Sequence, residues 1–343
     1  MLVHSPSRWQ GIRAPTANAM FDGGEFLEEP AALAARIADE VEKVIVGKRS
    51  AILLVLTALI ADGHVLLEDV PGVGKTMLVR ALSRALSLQT QRLQCTPDLM
   101  PQDVTGLHVY SRRDERFEFR SGPVFTNLLL ADELNRATPR TQSALLEAMQ
   151  ERQVTVDAQT MPLPMPFFVL ATENPIEQEG TFPLPEAELD RFLLRTAIGY
   201  PALEAETELV RLHLGGNRLA EVQSVAGPAE IEGLQDAARG VELSEPVLGY
   251  IIGLTRSLRA RAGIALGPSP RATLALARAA QARALLDGRS YVLPDDVQAL
   301  ADPVLAHRLV LDASAELAGT TVSEAVQMAL EELPAPFEGR TRQ

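Results

Sequence analysis

Residues 64–76 read HVLLEDVPGVGKT, and no other stretch restricts the fold as much. An apolar run (64–67) breaks into a Gly/Pro turn ending in Gly74, Lys75 and Thr76. An apolar helical pattern through Met77, Leu78, Val79, Leu82 and Leu86 follows at once. Strand, glycine-rich loop, helix is the context in which a loop binds phosphate. The loop's backbone N–H groups and the positive end of the new helix converge on an anion. Lys75 is then placed to reach the β- and γ-phosphates of a nucleotide, and the Thr76 hydroxyl to hold Mg²⁺. Pro71, Gly72, Val73, Gly74 and Met77 complete the cradle. The pattern G-x-x-x-x-G-K-[ST] wants glycine where this chain has Asp69, so only Gly72 and Gly74 remain. A glycine-rich turn with an incidental lysine is the alternative, and the strand and helix on either side argue against it.

Composition narrows what such a loop can serve. At 343 residues the chain can hold two domains, and 46% hydrophobic with 22% charged residues is globular composition. A net charge of −13 counts against nonspecific nucleic-acid binding, although a local basic pore would survive it. Cys95 is the only cysteine, which excludes an intrachain disulfide and a cysteine metal site and fits a reducing cytoplasm. The longest apolar run, 51–61, is about half the ~20 residues a spanning helix needs, so no membrane insertion is expected. Arg8 and Arg13 lack the apolar core of a secretory signal behind them. Residues 1–29 mix Pro, Gly, Asn and Ser with Trp9 and read as a poorly ordered tail, with Met20 an alternative start.

Apolar periodicity predicts helices over 30–46 and 51–61. Strand-like runs at 65–68, 91–95, 128–132, 167–172 and 193–198 alternate with helices at 138–151 and 186–192. Continuously apolar runs such as 128–130 and 167–170 imply a parallel sheet covered on both faces. Ligands of such a sheet bind beyond the carboxyl ends of its strands. Two hairpins interrupt the alternation, one across 109–119 with a charged tip at 112–116, the other from 154–156 through a turn at 157–160. Pro162, Pro164 and Pro166 make the second an edge or a projection. Gly199-Tyr200-Pro201 marks a boundary between a core (30–201) and a helical second domain (202–343). Helices are predicted there at 204–214, 228–240, 245–262, 271–286, 294–307 and 321–333, and the domain suits a lid.

Residues 128–133 (LLLADE) form an apolar strand ending in two carboxylates. Asp132 would bind the hydration shell of Mg²⁺, and Glu133 would polarise the water that attacks the γ-phosphate. Helix capping near Asn135 is the alternative, weakened by the phosphate loop some sixty residues upstream. Asn174 ends the next apolar strand, where its amide could orient that water or touch the γ-phosphate; Asn-Pro is also a simple turn signal.

These stretches resemble the MoxR family of AAA+ ATPases: 68–76 (EDVPGVGKT), 131–137 (ADELNRA), 141–154 (TQSALLEAMQERQV), 168–175 (FVLATENP), 180–192 (GTFPLPEAELDRF) and 269–272 (SPRA). The likeness covers roughly residues 41–311, and Asp69 is similar to what that family carries. It implies an α/β AAA+ P-loop core, a parallel sheet flanked by helices, followed by an all-helical lid domain. It also implies that Arg191 is an arginine finger acting in trans on a neighbouring subunit, a role suited to a fixed, always-charged fork. An intrachain ion pair with Glu186, Glu188 or Asp190 is the competing reading. Arg271 matches the lid arginine called sensor 2, while Arg136 and Arg195 are further interface or phosphate candidates. Val46 and Gly47 match the adenine-side segment. The hairpins look like the helix-2 insert and pre-sensor-1 hairpin of the clade that also holds Mg-chelatase subunits and MCM helicases.

The resemblance therefore implies ATP and Mg²⁺ as cofactors and a homo-hexameric ring. It further implies a client protein remodelled or matured with a von Willebrand factor A-domain partner. A nucleic-acid translocase would want bases and interleaved aromatics on the hairpins. The turn at 157–160 has no base, acids offset most of Arg112, Arg113, Arg116 and Arg120, and no aromatic interleaving suggests stacking. A metal-chelatase motor subunit is a third possibility, and ATP as a purely structural switch a fourth, which Glu133 and Arg191 oppose.

Overall fold

Strands that are apolar at every position are stable only with both faces covered, and the sheet is built in that way. The computed structural model describes residues 25–70, 72–174, 180–215 and 218–336. Pro71 and the first 24 residues of the expected tail lie outside them. The core runs α1 (Glu25–Glu42), α2 (Arg49–Ile60), β1 (Val65–Glu68), α3 (Lys75–Ala85), β2 (Thr90–Gln94), α4 (Pro101–Thr105), β3 (Gly106–Ser111), β4 (Arg116–Ser121), β5 (Leu128–Asp132), α5 (Pro139–Glu151), β6 (Gln153–Val156), β7 (Gln159–Pro162), β8 (Phe168–Glu173), α6 (Glu186–Leu189) and β9 (Leu194–Thr196). After it come α7 (Leu203–Gly215), α8 (Pro228–Arg239), α9 (Glu245–Ala260), β10 (Ile264–Leu266), α10 (Pro270–Leu286), α11 (Pro294–Leu305), β11 (Val310–Leu311), α12 (Ala313–Leu317) and α13 (Val322–Glu332).

The five-stranded sheet has the order β2-β5-β8-β1-β9, all parallel. Alternate residues feed two separate apolar clusters. Leu66, Leu129, Val169 and Ala171 face α5, while Val65, Leu67, Leu128 and Leu170 face α1, α2 and α3. The loop after β1, Asp132 at the end of β5 and Asn174 beyond β8 thus share the carboxyl edge. His64 pins the opposite end: its Nδ1 accepts from the Val169 N–H and its Nε2 donates to the Met149 carbonyl, each at 3.1 Å.

The helical region shares the second cluster without a break, since residues of α8–α11 and α13 pack in one apolar body with α1 and α2. Its centre is α10, where Ala272, Ala275, Ala279, Ala280, Ala282 and Ala284 are buried and let neighbours approach closely. Several elements differ from expectation, among them the short helices α4 and α12, which were not predicted. Helix α1 begins at Glu25, with Pro30 inside it. Helix α6 stops at Leu189, short of 192, because Phe192 is fully buried and Leu194 already pairs with Val65. The second domain is not wholly helical, since β10 and β11 form a small antiparallel ribbon.

Both inserts form antiparallel hairpins, β3–β4 and β6–β7. His108 Nδ1 joins them by a 2.8 Å contact with Asp157 Oδ2. The first hairpin does carry exposed aromatics. Tyr110 and Phe117 are cross-strand partners with ring centroids 5.4 Å apart. Single residues on either side of a charged tip hid this pairing in the sequence.

Candidate nucleotide site

Gly72 (φ 85°) and Gly74 (φ 100°) hold the left-handed conformations the loop needs, and Gly74 opens α3. Among the described residues, apart from its chain neighbours, no atom lies within 4 Å of where a Cβ on Gly72 would stand. Lys75, Thr76 and Met77 form the first turn of α3, half-buried, and Lys75 Nζ donates to the Asp69 carbonyl at 3.1 Å. Asp69 itself is buried. Its carboxylate accepts the N–H of Ile198 and, at 3.1 Å, that of Gly199. The residue replacing the pattern's first glycine therefore ties the loop to the chain leaving β9, a bond glycine cannot make.

Beside the loop lies a cavity of about 960 Å³ lined by Val46, Gly72, Val73, Gly74, Met77 and, from α7, Val210 among others. Gly47 does not line it. With φ 69° it passes close under α7, where a Cβ would stand 3.0 Å from that of Ala205. Lys48 Nζ fixes the cavity wall by donating to the Tyr200 carbonyl at 2.7 Å. Lys75, Thr76, Asp132 and Glu133 are outside the lining, so the cavity and the carboxylate end of β5 lie on either side of the glycine-rich loop.

The two carboxylates end β5 with opposite surroundings. Asp132 Oδ1 accepts from Thr172 Oγ1 at 2.8 Å, and Oδ2 is paired with Arg92 at 2.6 Å. Glu133 turns out of the strand at φ 58°, its N–H donating to Thr172 Oγ1 at 2.9 Å. Its Oε2 accepts from Gln94 Nε2 at 2.9 Å and Arg136 Nη1 at 3.2 Å. Gln94, Arg92 and Thr172 were missed from sequence. The available signal was polar side chains on β2, whose Gln94 is in register with Asp132. Asn174 is buried just beyond Glu173. Burial, with Glu68 alongside, pushes the Glu173 carboxyl up to about 7 against the opposing pull of Arg195.

Residues 64–194 match the model of the ATPase family associated with various cellular activities, and 256–329 match an AAA lid domain. The chain is 44% identical over 313 residues to the uncharacterized protein YeaC of Bacillus subtilis, covering 91% of this chain and 98% of that one. It is 40% identical over 307 residues to Chaperone MoxR1 of Mycobacterium tuberculosis, covering 87% and 81%. It also resembles the crystal structure of a candidate ATPase from Cytophaga hutchinsonii, with TM-score 0.84 and 39% identity over 90% of this chain and 98% of that one. The chain belongs to the MoxR family of AAA+ ATPases.

In this MoxR-family ATPase the arginines fall into two groups. Arg136 is held by Glu133 and Arg195 by Glu68, at 3.2 and 2.7 Å. Arg191 and Arg271, by contrast, make no ion pair among the described residues, and Arg191 Nε is buried without a partner. Asp190 and one oxygen of Glu188 are engaged elsewhere, while Glu188 Oε2 is buried without a hydrogen-bond partner. Asp190 pairs with Arg308 at 2.8 Å and accepts from Ser269 Oγ, while Glu188 Oε1 accepts from Ser143 Oγ at 3.1 Å. Arg271 is exposed in the first turn of α10.

Proposed function

We propose that this ATPase is a ring subunit whose active site is completed by a neighbouring copy. Arg191 carries the proposal: it has no carboxylate partner among the described residues, although acids flank it. A guanidinium kept charged and unpaired suits a phosphate oxygen of another subunit. ATP would lie along Gly72, Val73, Gly74, Lys75, Thr76 and Met77, its base in the cavity beside Val46. Lys75 would hold the β- and γ-phosphates, Glu133 polarise the attacking water, Asn174 orient it, and Arg271 report the γ-phosphate to the lid. Thr76 and Asp132 offer the hard oxygen donors that Mg²⁺ prefers. With Oδ1 bonded by Thr172 and Oδ2 paired with Arg92, Asp132 fits an ion held through water. Bound there, Mg²⁺ supplies charge neutralisation on the phosphates.

Cycles of binding and hydrolysis in a cytoplasmic homo-hexamer would move the lid and hairpins against a client protein, with a von Willebrand factor A-domain partner. A relative named as a chaperone supports that direction. The test is ATP turnover per chain against protein concentration, for the wild type alone and doped with Arg191→Ala. Turnover per chain rises with concentration, and the variant poisons it beyond simple dilution. Concentration-independent turnover unaffected by doping would mean that each chain works alone.

One observation favours a second reading, a nucleic-acid motor: the exposed Tyr110–Phe117 pair beside Arg112, Arg113 and Arg116. Stimulation of turnover by single-stranded DNA or RNA, lost in Phe117→Ala, would select it over protein remodelling.

A further inference from the structure

We propose that Asp190, Ser269 and Arg308 are positioning residues through which each chain's lid sets the finger, Arg191, that it offers its neighbour; this rests on the shared-site reading above. Arg308, 5% exposed, lies just beyond α11. Its guanidinium pairs with Asp190 at 2.8 Å and donates to carbonyls on both sides of Arg191: Asp190 (3.3 Å), Phe192 (2.6 Å) and Leu193 (3.3 Å). His307 Nε2 donates to the same Phe192 carbonyl at 3.2 Å. From the other side, Ser269 Oγ donates to Asp190 Oδ2 at 2.8 Å while accepting the Ala272 N–H at 3.2 Å as the cap of α10.

The residue before the finger is thus gripped at two points of the lid, and one of them opens the helix that carries Arg271. Burial pushes the Arg308 pKa down to about 10 against the opposing pull of Asp190, so the guanidinium stays charged at neutral pH. Arg271 lies near enough to lower it further. A buried charge held by one carboxylate and several carbonyls has few alternative arrangements, because any that loses the partner leaves the charge uncompensated. Motion of α10 driven at Arg271 therefore carries Ser269, and with it Asp190 and the backbone of Arg191. Occupancy of a chain's own site would in this way set the finger it delivers next door, and the coupling must run in both directions.

The test mixes two kinds of full-length chain. Arg191→Ala chains keep a working site but lack a finger, and Glu133→Gln chains keep the finger but cannot hydrolyse. Their mixture recovers turnover if sites are shared. Adding Asp190→Asn to the Glu133→Gln donors should cut that recovered turnover about ten-fold, within the usual range of coupling energies. The same change placed in the Arg191→Ala chains should cut it about two-fold or less. Ser269→Ala, which removes one hydroxyl from a partly buried position, should show the same asymmetry and serves where Asp190→Asn chains do not fold. Equal loss in both placements, or no loss in the donors, overturns the proposal. A parent mixture that recovers nothing overturns the shared-site reading, and this proposal with it.

Discussion

Asp69 holds two backbone N–H groups, so restoring the consensus glycine there removes an anchor. Hydrogen bonds to a charged acceptor contribute about 1.5–3 kcal/mol each, and buried donors left unpaired cost more. Asp69→Gly should therefore lower stability by about 2 kcal/mol or more and weaken nucleotide binding, because the Ile198–Gly199 wall of the cavity is freed. Asp69→Asn, which keeps an acceptor, should do less. Thermal unfolding with and without a non-hydrolysable ATP analogue checks both effects. Glu173 gives the opposite sign. Its folded carboxyl keeps a proton to about 7 while the unfolded chain releases it near 4.5, so stability falls as pH rises through that window. Glu173→Gln should flatten this slope and stabilise the protein at pH 8 by no more than about 3 kcal/mol. Denaturant unfolding at pH 5 and pH 8 checks it; an unchanged slope would place the titration elsewhere. The glycine-rich loop opening α3 and the two carboxylates ending β5 were legible because each lies within one short stretch. The roles of Asp69 and Gln94 were not, since they depend on residues that only the sheet order brings near.

At the scale of elements, strands and helices were read well where apolar residues run unbroken or at helical spacing. Hairpin β6–β7 was marked by its prolines. Helix α6 was read too long because burial of Phe192, a tertiary fact, ends it. The grip on Asp190 was invisible for the same reason, its partner Ser269 being 79 residues away. His64 shows how such distant bonds carry pH dependence. Nδ1 accepts from β8 and Nε2 donates to the end of α5, a pattern only the neutral ring satisfies. Burial, and secondarily Arg152, holds its pKa well below the ordinary range. Burial and the neighbouring Arg308 do the same to His307. Below about pH 6.5 the unfolded chain takes up these protons and the folded one does not, so stability is lost as pH falls. His307→Gln keeps a donor for the Phe192 carbonyl but does not titrate. It should remove part of that acid limb between about pH 6.5 and 5, measured by denaturant midpoint.

At the scale of the molecule, the core and the lid are named apart yet share one apolar cluster. Residues of α10 and α8 pack directly on α1 and α2, with Ala279 and Ala280 fully buried. Cooperative unfolding follows the continuity of buried contacts more than the boundary of a sequence family. Calorimetry should therefore show one transition for the monomeric chain, not a lid melting ahead of the core. A nucleotide that binds only the folded state should raise the midpoint of that single transition by mass action. Ala280→Leu sharpens the test. Overpacking a filled core costs about 1–3 kcal/mol, and in a shared core that cost must lower the one transition as a whole by a few degrees. If Ala280→Leu instead splits the trace, with only the later peak responding to nucleotide, the lid is an independent unit. Motion of the lid would then begin at the junction near Gly199. With one transition, motion must proceed by small sliding of packed helices, and the grip of Arg308 and Ser269 on Asp190 becomes its natural route to Arg191.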